Sequence, residues 1–240
     1  MHPSALNNAK DFFGTYSNYL PKYDPIRVVE IGSQDINGGL RSLCPNHFEY
    51  IGVDFQAGNG VDVVLLDPYS LPFEDDTVDI VLTSSCLEHS EMFWLVILEV
   101  LRVLKPHGLL LLNVPSQGTY HQYPVDCWRF YPDSGIALSK WGNHMGFNSR
   151  LLESYTQIGG GWGDFVAVIL KNSSYVDRYP RRILDKKKDY INGRRDDYAD
   201  IILNCSQSNN NETLVLFLNR LLPKALRSII RSFYERFSTH

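Results

Sequence analysis

Four cysteines in 240 residues, with no C-x-x-C pair and no regular spacing, supply neither a disulfide framework nor a structural zinc motif. Cys44, Cys86, Cys127 and Cys205 are therefore expected as reduced thiols of a cytoplasmic protein. No run of about 20 apolar residues occurs, so no membrane-spanning helix is expected. The chain opens Met1-His2-Pro3-Ser4 without a basic segment leading into an apolar one, so no signal peptide is expected. No internal repeat is visible. A full G-x-G-x-x-G turn is also missing: after Gly32, the other two glycine places hold Gln34 and Asn37. That absence argues against a dinucleotide, whose pyrophosphate needs close backbone approach at a helix N-terminus.

Charge is sparse and uneven. Charged residues make up 21% and hydrophobic residues 44%, as in an ordinary soluble globular protein. Residues 1–172 carry 10 Lys/Arg against 19 Asp/Glu, while residues 173–240 carry 13 against 8. An acidic body excludes a nucleic-acid groove there, and the basic tail is left to meet an anionic surface. The length suits one α/β domain with an appendage.

The chain's organising feature is Val28-Val29-Glu30-Ile31-Gly32-Ser33-Gln34-Asp35, a buried strand running into a sharp turn. Strands are expected at 27–31, 49–53, 61–66, 78–83 and 109–114, apolar and without alternation, as parallel strands buried on both faces should be. Helices are expected at 5–20, 90–104 (ended by Pro106-His107-Gly108) and 132–142, and a helix-compatible segment begins at Leu40. Segments 147–157 and 164–170 read as a final strand pair around a glycine-rich turn. The fold class expected is a Rossmann-like, doubly wound, mostly parallel seven-stranded α/β sheet with a basic helical C-terminal extension. Its parts are an N-terminal helical cap (1–25), a ligand-binding domain (26–172) and a basic linker with an amphipathic helix (173–240).

Candidate ligand residues fall just after strands, where open α/β sheets bind ligands. Asp54, 24 residues after Glu30, can accept hydrogen bonds from two ribose hydroxyls or simply cap its turn. Asp67 can accept from an adenine amino group, or it closes a local turn with Pro68. Ser84 and Ser85 leave room for a methionine-like arm. An acidic, phosphate-free pocket suits the sulfonium of S-adenosylmethionine.

The segments Val29-Glu30-Ile31-Gly32-Ser33, Val53-Asp54, Leu66-Asp67-Pro68, Leu87-Glu88-His89 and Arg102-Val103-Leu104-Lys105-Pro106 resemble successive motifs of class I S-adenosylmethionine-dependent methyltransferases over about residues 26–172. They are similar in particular to the methyltransferase type 11 group found in bacterial surface-polysaccharide clusters. The resemblance implies S-adenosylmethionine as cofactor, with Glu30, Gly32, Ser33 and Gln34 at its methionine end. It puts Asp54 and Phe55 at the ribose, Asp67 and Pro68 at adenine, and Ser84 and Ser85 near the methyl. Pro68 offers no N–H to the adenine.

The loop 120–133 is dense in His, Tyr, Asp, Trp and Arg and resembles a segment of the polysaccharide-cluster enzymes. His121 is a candidate base for a hydroxyl, with Asp126 beside it. Tyr123, Trp128 and Arg129 are candidates for holding a sugar with a carboxylate or phosphate, although Asp126 and Arg129 can equally brace the loop as an ion pair. His89 is the second base candidate. The Glu88-His89 pair is similar to that of ubiquinone-biosynthesis O-methyltransferases, some of which bind a divalent metal there. Ser85 stands where those carry a further Glu, so no metal is expected. The expected acceptor is a sugar or glycan, alternatively a small amine or aromatic hydroxyl, or none in a degenerate scaffold protein.

In the tail, Leu222, Leu226, Ile229, Ile230, Phe233 and Phe237 share one helical face opposite Arg220, Lys224, Arg227 and Arg231. Such a helix can lie on an anionic membrane, at the inner face if the acceptor is lipid-linked, or dock on the body or a second subunit.

Overall fold

The computed structural model describes residues 2–22, 25–36, 38–159, 161–196 and 201–206. The chain divides into two units, residues 1–204 and 205–240. Of the second, only Cys205 and Ser206 are described, and the proposed amphipathic helix lies outside the described residues.

An eight-stranded sheet forms the first unit, in the order β3-β2-β1-β4-β5-β7-β6-β8. Its strands are β1 (Arg27–Ile31), β2 (Glu49–Asp54), β3 (Val63–Val64), β4 (Val78–Ser84), β5 (Leu104–Pro115), β6 (Arg150–Gln157), β7 (Asp164–Leu170) and β8 (Tyr190–Arg195). Neighbours from β3 to β5 pair parallel; β5–β7, β7–β6 and β6–β8 pair antiparallel. The sheet is α/β and mixed. β8 arises within the segment expected as a linker, and residues 173–204 belong to the first unit.

Every residue of β4 and β7 is buried, because helices or turns cover both faces. One face carries α2 (Phe93–Val103) and α3 (Ser134–His144), whose Val96, Ile97, Val100, Leu101 and Leu138 join Val29, Val81 and Leu110 in one core. The other carries α1 (Pro3–Tyr16), whose Phe12, Phe13 and Tyr16 pack with Val28, Ile80, Leu82 and Tyr155. The unpaired side of β3 explains why its strand is two residues long rather than six. Val64 is half-exposed and Leu66 wholly exposed, while Leu65 enters the core with Val63 packed against it, so the run 61–66 is buried on one side alone.

Other boundaries shift for local reasons. The segment at Leu40 gives only a 3₁₀ turn, Arg41–Leu43. Residues 87–89 form a separate 3₁₀ turn, and Ser90 is extended (φ −93°, ψ 118°), which delays α2 to Phe93. That turn is pinned from outside, since the Glu88 carbonyl accepts the Cys127 and Trp128 N–H groups. α2 stops at Val103, and Leu104 already opens β5; Pro106 disfavours helix at the residue before it. Gly108 therefore ends no helix. It sits in β5 where an added Cβ would lie 2.9 Å from the Lys105 carbonyl.

Candidate functional site

β1 and β4 are neighbours, but the chain leaves them in opposite directions across the sheet: β2 lies on one side and β5 on the other. A crevice opens at such a switch point, at the carboxyl ends of the strands. It is a cavity of about 360 Å³, within the range typical of small-molecule sites.

The turn after β1 forms one wall. Gly32 has φ +78°, and a Cβ there would lie 2.7 Å from both Cβ and Sγ of Cys86. Glycine is thus required twice over, for conformation and for space. Gln34, in a glycine's expected place, has no positive φ. The turn therefore needs no glycine there, and the side chain becomes wall instead. The Gln34 N–H donates to Asp54 Oδ2 (3.1 Å) and the Gln56 N–H to Asp54 Oδ1 (3.2 Å). A carboxylate has about four lone-pair sites, so Asp54 can cap its turn and still accept from a ligand. Phe55 beside it is half-exposed and lines the cavity.

Ser84, Ser85 and Cys86 form the floor at the end of β4. Ser84 Oγ is buried with no hydrogen-bond partner, a group that a ligand can satisfy. Ser85 holds φ +51° and is pinned by its N–H to the Asn113 carbonyl (2.9 Å). Burial pushes the Cys86 thiol up to about 12, so it stands as a neutral wall.

Three expected cofactor residues lie elsewhere. Glu30 and Ser33 border a second cavity behind the turn, with Asp35, Arg41 and Asp62. Strand alternation points Glu30 away from Ile31, and its carboxylate accepts the Tyr50 hydroxyl (2.5 Å). Burial raises Glu30 to about 7. Asp67 is exposed and caps its own turn through the Tyr69 N–H (2.9 Å); Pro68 and Tyr69 are the residues that reach the cavity.

The opposite wall is His89 with the loop after β5, through Tyr123, Pro124 and Val125. The Tyr123–Pro124 peptide bond is cis. The Tyr123 hydroxyl donates to Gln34 Oε1 (3.2 Å). His89 Nδ1 meets the Val125 carbonyl (2.5 Å), so Nδ1 carries the proton and Nε2 keeps its lone pair. Burial, chiefly, lowers the His89 pKa. His121 is not in the cavity lining, but its ring stands edge-on to His89 with centroids 4.9 Å apart. Asp126 accepts the His121 N–H (2.7 Å) and both Arg129 Nη groups (2.6 and 2.8 Å). Those Arg129 bonds hold its carboxyl well below the usual carboxylate range. Arg129 is thereby a brace, not a free anion clamp. Trp128 is likewise no sugar platform: it packs against Phe93 and Trp94, and its Nε1–H donates to the Ser90 carbonyl (2.8 Å).

Two residues that the sequence did not single out as site candidates join the site. Trp162, from the β6–β7 turn, lies 4.7 Å from the His121 ring; only its aromatic nature in a glycine-rich turn marked it. Glu88 is 1% exposed, and burial raises its carboxyl to about 8.

Residues 22–112 match the family model described as a methyltransferase domain. A phthiotriol/phenolphthiotriol dimycocerosates methyltransferase of Mycobacterium ulcerans is 38% identical over 80 residues, 32% of this chain and 26% of that protein. An uncharacterized methyltransferase of Mycobacterium tuberculosis is 50% identical over 44 residues, 18% of this chain and 17% of that one. The chain thus spans about a quarter or less of the curated relatives it matches. Among solved structures, the Burkholderia thailandensis 1,6-didemethyltoxoflavin-N1-methyltransferase, with bound S-adenosylhomocysteine, superposes with TM-score 0.53 at 14% identity, covering 70% of this chain and 79% of that one. The methyltransferase domain of a citrinin polyketide synthase gives 0.50 at 16% identity, over 70% and 52%. These two likenesses establish the shared fold.

Proposed function

We propose that the chain is an S-adenosylmethionine-dependent methyltransferase acting on an oxygen of a sugar or glycan. The observation that carries this reading is one cavity lined both by Asp54, at the end of β2, and by His89, in the turn after β4. The donor set fits the cofactor. Asp54 retains acceptor capacity for ribose hydroxyls, Pro68 and Tyr69 offer a surface for adenine, and Ser84, whose Oγ is unpartnered, lines the same cavity. When bound, S-adenosylmethionine supplies an electrophilic methyl on a sulfonium.

The protein's contribution is alignment of the acceptor with that methyl and removal of its proton. Bound there, S-adenosylmethionine would supply the methyl and keep the S–C electron pair as S-adenosylhomocysteine, and the acceptor oxygen would carry the new O–C bond. The hydroxyl proton passes to His89 Nε2, whose ring the Val125 carbonyl holds in the needed tautomer. The sugar assignment rests on the half-exposed Tyr123, which lines the cavity, and on the exposed Tyr120 and Tyr131 of the same loop, faces on which a pyranose can stack. A lipid-linked acceptor would bring the basic segment 213–240 to an anionic membrane, testable by vesicle co-sedimentation with and without it. Among the described residues no helix is long and apolar enough to cross a membrane.

Calorimetry with S-adenosylmethionine tests the core of the reading. Binding with one site per chain is expected, and no heat from folded protein at millimolar ligand overturns it. Methyl transfer to nucleotide-linked or lipid-linked sugars, read by mass spectrometry, tests the acceptor class against small phenols and amines.

A further inference from the structure

We propose that Glu88, His89 and His121 together bind one divalent transition-metal ion of the Zn²⁺ type beside the cavity. One ligand atom from each lies within 4.8 Å of the other two. The three come from two separate segments, the 3₁₀ turn after β4 and the loop after β5, so the fold and not local sequence assembles them. The backbone fixes this meeting: the Glu88 carbonyl accepts the N–H groups of Cys127 (2.8 Å) and Trp128 (3.2 Å).

Each donor is prepared in a different way. His89 has its Nδ1 on the Val125 carbonyl (2.5 Å), which leaves Nε2 as a lone-pair donor, 3.8 Å from Glu88 Oε1. His121 Nδ1 lies 3.3 Å from the Thr119 carbonyl and 3.3 Å from Asp126 Oδ2. Both acceptors call for a proton on Nδ1, which again frees Nε2. A ligating imidazole typically has its other nitrogen held by a carbonyl or carboxylate in just this way. Glu88 is the independent observation. It is 1% exposed, and its Oε2 has no hydrogen-bond partner. A buried carboxylate oxygen without a partner is costly, and a cation is the ligand that best offsets that cost.

Two imidazoles and one carboxylate form a donor set that suits Zn²⁺ and leaves a coordination position open. The nearby charges are compatible: Arg129, the closest cation on the loop, is already neutralised by the two-oxygen pair with Asp126. His89 lines the cavity, so the open position faces the acceptor's end. The ion's catalytic role rests on the methyl-transfer reading above. There it would lower the pKa of an acceptor hydroxyl, whose proton then passes to solvent; His89 acts as the base described above only in the metal-free protein. Binding itself does not depend on that reading.

The test uses the full chain without a histidine tag, stripped with chelator and dialysed. Titration with Co²⁺ is expected to give visible d–d absorption that saturates at one equivalent and is displaced by Zn²⁺. His121→Ala and Glu88→Gln should each weaken binding by about 10–100-fold or more, and exposed His47→Ala should leave it unchanged. Near-UV circular dichroism identifies any variant that fails to fold, and the half-exposed His121 supplies a second variant if Glu88→Gln does. Absent Co²⁺ absorption, or equal affinity in wild type and His121→Ala, overturns the site. S-adenosylmethionine calorimetry on the same samples separates the two ideas, since retained cofactor binding with no metal binding sinks the metal site alone.

Discussion

The Tyr123 hydroxyl donates to Gln34 Oε1 at 3.2 Å, joining two loops 89 residues apart in sequence across the mouth of the cavity. Both residues line the cavity, one on each wall. Tyr123→Phe deletes this strap and leaves the ring in place. Ligand dissociation should quicken several-fold, read by stopped-flow fluorescence, with global stability unchanged within about 0.5 kcal/mol because the group is exposed. Unaltered dissociation rates would show that the bond does not hold the mouth.

Asp54→Asn should reduce S-adenosylmethionine affinity by about 10–100-fold. A hydrogen bond to a charged group contributes about 1.5–3 kcal/mol, and Asp54 is the carboxylate that the end of β2 brings to the cavity. Calorimetry measures the loss, and the side chain's contacts to the Gln34 and Gln56 N–H groups make a parallel melting curve the proper control.

Gly32→Ala meets two penalties, the positive φ and the 2.7 Å approach to Cys86. A loss of about 1–3 kcal/mol in chemical denaturation is expected. Adding Cys86→Ala removes the Sγ clash but not the φ penalty, so the double variant should recover part of the loss. Full recovery would mean that the backbone is unstrained.

Glu30 gives stability a pH dependence. Its ordinary value is 4.5, and burial raises it to about 7 in the folded protein. The folded state therefore binds the proton more tightly, and this contribution is complete below about 4.5 and lost as pH rises through 7. The change is on the order of 3 kcal/mol. Glu30→Gln should flatten the stability profile between pH 4.5 and 8, measured by urea denaturation; an unchanged slope would mean that another group titrates.

Tyr16→Phe probes the tie between α1 and the sheet. The buried Tyr16 hydroxyl donates to Glu153, which also accepts the N–H groups of Ile183 and Leu184. Loss of one donor to a buried carboxylate should cost about 1–3 kcal/mol. Hydrogen exchange should speed at residues 3–16 as well as at 183–184, since one carboxylate holds both.

The sequence disclosed what depends on burial on both faces. β1, β4 and β7 appear as unbroken apolar runs because parallel and central strands have no solvent side. β8 was hidden for the opposite reason. Tyr190-Ile191-Asn192-Gly193-Arg194-Arg195 has a full strand partner, β6, on one side and a single bridge, from Gly193 to Leu203, on the other, and Asn192 takes φ +53° at a register shift, so its polar composition reads as linker. Asp54 and Gln34 fell where strand ends place ligands, but Glu30 and Asp67 did not. A side chain's direction at a strand end depends on pleat and on the local turn, and neither is written in a motif. Arg129 and Trp128 were chemically suited to a sugar, yet both were already engaged within the loop. The meeting of Glu88 with His121 depends on backbone bonds between distant segments and left no signal in spacing.

The cavity's two walls have separate histories in the chain. The cavity-lining residues from Ile31 to Val96 fall inside the stretch that matches the methyltransferase domain model at 22–112. Tyr123, Pro124 and Val125 fall after it. The molecule thus behaves as a socket with an interchangeable fitting. Substitutions in 116–131 that keep its ties to the first stretch, from Tyr123 to Gln34, from His89 to the Val125 carbonyl and from Trp128 to the Ser90 carbonyl, are expected to retune what is modified without disturbing the other wall. A graft of that loop from a relative onto this sheet should carry acceptor preference with it, and the new specificity would need no change in how the methyl is delivered.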